Sequence, residues 1–314
     1  MDSTQDRLRG IALGAAIGDA LGMPLEFHPP RDPAAFEKEM VNGHLPAGTF
    51  TDDTEMALAL AESLLAHSPL DGSDLALRFV DWYHGNPPDI GDHTKHVLSL
   101  IAAGTPWQEA AKTAQQLNPG SSSNGSLMRC WPISVAYWDQ PELLISESKL
   151  QSEITHAHPD CVNACVFINL LLQHLVQREN RHPPDSFLRT SISQVSSVLN
   201  LNEEFKILIK KAPSKKREEL PNSGWVRHTL ESALWAVLTT NTFEDAVVQA
   251  VNLGSDADTT GSVAGALAGA LYGINAIPQR WANQLRGVYP INSDRLWHAS
   301  DLVLLADNLS DRSN

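Results

Sequence analysis

Two stretches of this chain repeat glycine at every fourth residue: Gly10, Gly14, Gly18 and Gly22 near one end, Gly261, Gly265, Gly269 and Gly273 near the other. In an α-helix that spacing lays each set along one slowly drifting stripe. Each internal glycine costs roughly 0.5–1 kcal/mol against alanine. A chain keeps a whole stripe of such costs when another backbone must come close. The two ribbed helices are therefore expected to pack near each other at the centre of the fold.

Around them, apolar residues recur three and four positions apart, as in Met56, Leu60 and Leu64 or Leu230, Leu234 and Leu238. This is the period of amphipathic helices. Alternating β-type segments are scarce, and Pro and Gly punctuate the runs in FHPPRDP, GNPPDIG, LNPGSSSNGS and RHPPD. The expectation is an all-α fold of about ten helices, whose loops carry the polar chemistry. No linker or composition break divides it, so residues 1–314 read as one domain. Residues 181–220 are the stretch the pattern places least well.

A net charge of −14 argues against a nucleic-acid or anionic-membrane partner, since either needs a basic face. The one basic cluster, Lys206, Lys210, Lys211, Lys215, Lys216 and Arg217, reads as a solvated loop or as a docking patch for an acidic partner. Cys130, Cys161 and Cys165 are too few for a disulfide framework and read as buried thiols. The opening MDSTQDRLRG is too polar for a signal peptide. The longest apolar run, residues 261–277, is rich in Gly and Ala and ends at Pro278, which makes a poor membrane span. A cytoplasmic location is expected.

Two acidic clusters open helical runs: TFTDDTEMALALAESLL and SDADTTG. Asp52 and Glu55 have the spacing of a capping box, and an N-terminal cap is one reading of each cluster. A cap needs one side chain, however. Thr51-Asp52-Asp53 and Asp256-x-Asp258-Thr259 each offer more oxygen than a helix end uses, and adjacent carboxylates repel unless a cation lies between them. Hard divalent cations take such oxygens, Mg²⁺ in near-octahedral array. Four aspartates and two threonines can hold two of them, if the two helix starts meet.

At these residues the chain resembles the ADP-ribosylglycohydrolase family, which includes the dinitrogenase reductase-activating glycohydrolase. The matching segments are GAAIGDALGMPLEF, TDDTEMALALAESLL, PPDIGDHT, SNGSLMR, THAHPD, GWVRHTLESALWA and NLGSDADTTGSVAGALAGALYG. They run in the family's order over residues 14–273. The resemblance implies an all-α domain with a two-metal centre, Mg²⁺ or Mn²⁺, that removes ADP-ribose from modified side chains. It marks Thr51, Asp52, Asp53, Asp256, Asp258 and Thr259 as metal ligands, and Glu26 and Asp89 as catalytic. Ser123, Asn124, Gly125, Ser126, Leu127 and Met128 match the phosphate-and-ribose loop, with Arg129 as added charge or a structural ion pair. His156 matches a histidine near the nucleotide. Trp225 stands where relatives often have tyrosine, and reads as an adenine platform or as a core residue. His158 lacks the partners of a zinc site and reads as a capping or hydrogen-bonding histidine.

The bond at issue joins C1 of a ribose to a side-chain atom, and its hydrolysis passes through an oxocarbenium-like state. The site must grip the ribose, present water at C1 and move protons through unshared carboxylates. The expected substrate is a mono-ADP-ribosylated protein, arginine favoured over serine. Two alternatives are a hydrolase of a small derivative such as O-acetyl-ADP-ribose and a non-catalytic ADP-ribose-binding module.

Overall fold

A computed structural model describes residues 3–179 and 182–311. The chain opens with α1 (Ser3–Gly22), whose last turn passes through a 3-10 turn (Met23–Leu25) to Glu26. After a long loop come α2 (Asp52–Ala66), α3 (Gly72–His84), α4 (Asp92–Ala102) and α5 (Trp107–Leu117). Then follow α6 (Trp131–Ala136), α7 (Pro141–Glu153), α8 (Pro159–Val176), α9 (Pro184–Val198) and α10 (Glu203–Lys211). The chain ends with α11 (Val226–Leu238), α12 (Phe243–Val251), α13 (Ala257–Tyr272), α14 (Gln279–Gln284) and α15 (Ala299–Ser310).

The all-α expectation holds, with two differences. Fifteen α-helices stand among the described residues where about ten were expected, because Pro at the first turn starts short helices that a periodicity window merges or misses. A two-stranded antiparallel hairpin, β1 (Arg286–Val288) and β2 (Leu296–His298), pairs Gly287 with Trp297. Its three-residue strands are too short for alternation to register. The described part of residues 181–220 falls into α9, α10 and two 3-10 turns, and Arg181 lies outside the described residues.

The ribbed helices do meet. A Cβ on Gly10, Gly14 or Gly18 would run into the backbone carbonyl of Gly269, Gly265 or Gly261 respectively. The pairing is antiparallel, with backbones in contact along three successive turns. Gly22 departs from it by facing Ala257 and Asp258, and Gly273 lies past the end of α13 at φ 80°. In α13 every residue from Ala257 to Leu271 is buried, the signature of a helix that other elements surround on all sides.

One hydrophobic cluster takes in buried residues from Leu8 to Leu309, and a smaller one joins Val97 on α4 to Ala110, Ala111 and Ala114 on α5. The segments Ser3–Leu25 and Pro159–Val176 are long and apolar enough to cross a membrane, but their apolar windows are 94% and 78% buried inside the protein. That burial makes them core helices. The three cysteines are buried and free, as expected.

Candidate active site

The antiparallel pairing sets the C-terminal end of α1 beside the N-terminal end of α13, and α2 starts against both. Asp19, one turn before the end of α1, is fully buried and organises the junction. Its carboxylate accepts the Thr51 N–H (3.0 Å) and hydroxyl (2.9 Å), and the Thr54 N–H (3.1 Å) and hydroxyl (2.6 Å). The first turn of α2 is thus capped from another helix. Thr51 is the N-cap residue and makes no side-chain cap of its own. Glu55 accepts instead from the Trp82 indole N–H at 2.8 Å. The capping-box reading of Asp52 and Glu55 is therefore overturned, and Asp52 and Asp53 are released from that duty.

The two acidic helix starts meet, although some two hundred residues separate them in the chain. The Thr259 hydroxyl donates to Asp53 Oδ1 at 3.2 Å, and the Thr259 N–H donates to Asp258 Oδ1 at 2.9 Å. Carboxylate oxygens of Glu26, Asp256 and Asp258 lie within 4.8 Å of one another. Thr51 and Thr259 each donate a hydroxyl proton to a carboxylate, which leaves oxygen lone pairs for a cation.

Burial and mutual repulsion push these acids up. Burial, then Asp256, Asp89 and Asp19, raises Glu26 to about 8. Burial lifts Asp19 to about 6 against the pull of its threonine donors, and Asp52, Asp53 and Asp258 well above the usual carboxylate range. Asp53 Oδ2 and Glu26 Oε2 are buried with no hydrogen-bond partner among the described residues. Unpartnered buried oxygens in a repelling cluster are what a divalent cation relieves. The donor set fits one.

The acids open into a cavity of about 840 Å³. Glu26, Asp52, Asp256, Asp258 and Thr259 line it, together with Asp89 and His93. Asp89 Oδ1 faces His44 Nε2 at 3.0 Å. Burial raises Asp89, and His44 draws it back down. Thr51 and Asp53 lie behind this surface rather than on it, each about 1% exposed.

The loop of residues 121–130 forms a further wall, but only in part as expected. Ser123, Asn124, Gly125 and Met128 line the cavity, whereas Ser126 and Leu127 are buried beneath it. Backbone N–H groups of Asn124, Leu127 and Met128 already donate to carbonyls of Gly224 and Asn124, so fewer remain for phosphate than the flexible sequence suggests. The Asn124 amide donates to Asp256 (2.6 Å) and Thr229 (2.7 Å), tying this loop to the acid cluster. Gly125 admits no side chain: a Cβ there would lie 2.9 Å from the His156 ring and from the Thr94 hydroxyl.

His156 is buried under the loop. Its Nε2 meets the Ser123 hydroxyl at 2.9 Å and its Nδ1 the Thr155 hydroxyl at 2.8 Å. Arg129 donates to the same Thr155 oxygen at 2.7 Å. Thr155 Oγ1 thus sits between the Arg129 guanidinium, which donates to it, and His156 Nδ1. Burial holds the imidazole well below its ordinary pKa, which keeps it neutral. Arg129 is fully buried, bonded to Gln151 and Thr155 and stacked 4.2 Å over Phe79. It is neither a cavity cation nor the expected ion pair.

Trp225 is 39% exposed and so is not a core residue. It lines a second, smaller pocket with Ile207, Lys211, Lys215 and Arg227, and its backbone bridges Ser123. His158 caps α8, its Nδ1 accepting the Asp160 N–H at 3.1 Å.

A sequence profile of the ADP-ribosylglycohydrolase family matches residues 1–313. The chain belongs to this family. An ADP-ribosylarginine hydrolase of Serratia proteamaculans is 35% identical over 292 residues, 89% of this chain and 75% of that one. The ADP-ribosyl-[dinitrogen reductase] glycohydrolase of Rhodospirillum rubrum is 32% identical over 90% of this chain and 91% of its own. A solved "ADP-ribosylglycohydrolase-related protein complex" superposes with a TM-score of 0.82 at 33% identity, covering all of both chains. This ADP-ribosylglycohydrolase-family protein is accordingly a hydrolase.

Three features of this family member escaped the sequence reading. Asp19 had a signal, since it is the one carboxylate within the glycine-ribbed part of α1. His44 had none, as its contact with Asp89 is purely tertiary. Phe27 follows Glu26 with φ 63° and is 84% exposed at the cavity, an uncommon backbone for a bulky residue. Its N–H donates to Ser255 O at 2.7 Å, and Ser255 N–H donates to His28 O at 2.7 Å, so the strained turn is clamped to the segment carrying Asp256.

Proposed function

We propose that this hydrolase removes a single ADP-ribosyl group from an arginine side chain of a protein, as a cytoplasmic enzyme built as one domain. The observation that carries the reading is the meeting of two acidic helix starts and Glu26 on one cavity, through the Thr259–Asp53 contact. The name of the similar Serratia protein supports arginine over serine, and that of the Rhodospirillum protein supports a modified protein over a small ADP-ribose derivative. The exposed phenyl ring of Phe27 at the mouth suits a macromolecular substrate.

In this reading Thr51, Asp52, Asp53, Asp256, Asp258 and Thr259 hold two divalent cations, Mg²⁺ or Mn²⁺. When bound, such ions neutralise the carboxylates and polarise water and ribose hydroxyls. Glu26, a carboxylate on the cavity surface beside Asp256 and Asp258, is suited to hold and release a proton at the water that attacks C1. Asp89 faces the leaving nitrogen and accepts from the guanidinium N–H groups. Ser123, its hydroxyl held 2.9 Å from His156 Nε2, lines the cavity where the nucleotide is placed. Gly125 and Met128 shape the floor beneath the nucleotide, and Asn124 holds Asp256 in place.

Trp225 takes adenine only if the nucleotide reaches past Ser123 toward the second pocket. The basic residues of α10 and the following turns are partly committed, Lys215 to Glu231 at 2.6 Å and Lys206 to Glu203 at 2.9 Å. Arg217 donates to Asn252 O and stacks over Phe36, so Lys210, Lys211 and Lys216 are the part of the cluster left to the docking reading.

The test is incubation with Mg²⁺ or Mn²⁺ and separately prepared ADP-ribosyl-arginine, ADP-ribosyl-serine and O-acetyl-ADP-ribose. The arginine adduct is expected to release ADP-ribose fastest. Faster release from either other substrate would replace the arginine assignment, and binding without release would favour the non-catalytic alternative.

A further inference from the structure

We propose that His44 is a positioning residue for the leaving group: its hydrogen bond to Asp89 holds that carboxylate at the cavity so that its second oxygen receives the departing guanidinium. The inference rests on the arginine reading above and on Asp89 acting within it.

Asp89 needs such a tether. It follows Pro87 and Pro88 on a loop and faces a cavity lined by Glu26, Asp52, Asp256 and Asp258. A loop carboxylate free to rotate turns toward water, where it is best solvated. The His44 contact opposes that turn. It engages Oδ1 at 3.0 Å from Nε2, in either the neutral or the protonated form of the ring, since an Nε2–H donates in both. Oδ2 is left for substrate.

The loop that carries His44 is itself held. The Asn42 side chain accepts the Ala47 N–H at 2.9 Å, closing residues 42–47 into a short loop with His44 inside. Gly43 lies against the turn that leads to Glu26: a Cβ there would be 2.6 Å from Pro24 Cα and 2.8 Å from Met23 Sδ. One loop therefore packs on the turn before Glu26 and reaches the Asp89 carboxylate. It fixes the span between the two unshared acids, the span a scissile C1–N bond and its attacking water must fit. Looseness at Asp89 is costly, since misplacement by about 1 Å can lose on the order of 100-fold in rate.

The experiment compares His44→Ala, His44→Gln, Asp89→Ala and the double variant His44→Ala/Asp89→Ala in full-length protein with Mn²⁺. The readouts are kcat and KM on ADP-ribosyl-arginine peptide and the Kd for free ADP-ribose. His44→Ala is expected to lower kcat about 10- to 100-fold, while KM and the Kd for ADP-ribose stay within about threefold. His44→Gln, which can place an N–H where Nε2 stood, should recover most of the loss. The double variant should be no slower than Asp89→Ala alone.

A His44→Ala enzyme within twofold of wild type overturns the inference, as do effects of the two alanines that simply add. Equal losses in His44→Ala and His44→Gln, with unchanged melting temperature, overturn it as well. If Asp89→Ala itself retains full activity, the arginine-side role given to Asp89 fails first, and the two failures are thereby told apart.

Discussion

Gly22→Ala isolates the close approach of α1 to α13 at the point where it touches the acid cluster. Gly22 has φ −77° and ψ −30°, ordinary helical values, so alanine is conformationally allowed. Helix propensity alone would reward the change by roughly 0.5–1 kcal/mol. Packing opposes it. The new Cβ would lie 2.5 Å from both Ala257 O and Asp258 Cα, where ordinary contact begins at 3.4 Å. Relief requires the start of α13 to retreat by roughly 0.9 Å, and overpacking of this kind costs about 1–3 kcal/mol. The net expectation is a loss of about 1–2 kcal/mol, or about 1.5–3 °C in melting temperature for a chain of this size. Because the retreat carries Asp258 with it, kcat should fall about 100-fold. Gly120→Ala, where a Cβ meets nothing within 4 Å, is the control and should change neither quantity. The assays are thermal unfolding and initial rates of ADP-ribose release. A Gly22→Ala protein at least as stable as wild type, and within threefold of its activity, refutes the backbone-contact account.

Asp258→Ala should abolish release, by at least about 1,000-fold, with a nearly unchanged helical circular dichroism spectrum, because its one bond to the helix start, from the Thr259 N–H, is small beside the burial that holds α13; retained turnover after exhaustive chelation would contradict the metal assignment. Glu26→Gln should bind ADP-ribose as wild type does yet hydrolyse about 100-fold more slowly, and an unchanged kcat removes Glu26 from catalysis. The pH dependence has a definite sign. Folded-state values near 8 for Glu26, 7 for Glu55 and 6 for Asp19 lie above those of the unfolded chain, so their contribution is complete at about pH 4 and is lost as pH rises through 6 to 8. Metal-free protein should melt at a lower temperature at pH 8 than at pH 5.5, and Mn²⁺ should raise the melting point more at pH 8. Differential scanning fluorimetry reads this directly, and a chelated protein that is more stable at pH 8 breaks the argument.

What the residues revealed in advance followed from where the determining forces lie. The glycine stripes were legible because a four-residue period has one geometric meaning in a helix, and they do face each other. The acidic clusters were legible as a pair because each carries more oxygen than a cap uses. The cap itself was misread: Asp19 supplies it from thirty-two positions away, and local spacing is blind to a donor or acceptor on a neighbouring helix. Arg129 shows the same limit, since its backbone and Thr155 partners become visible only once α7 packs against it. The basic segment read as loop is half helix, with Lys206, Lys210 and Lys211 on α10. Its amphipathic pattern is short, and the lysines mask it.

The borrowed cap on α2 separates two duties that usually fall on the same side chains. With Asp19 securing the first turn from outside, the carboxylates at the mouth can be filled, emptied or replaced without fraying the element that presents them. Variants that are chemically dead should therefore remain well-made proteins, suited to trapping intact substrates, whereas a change at Asp19 should unsettle architecture and chemistry together.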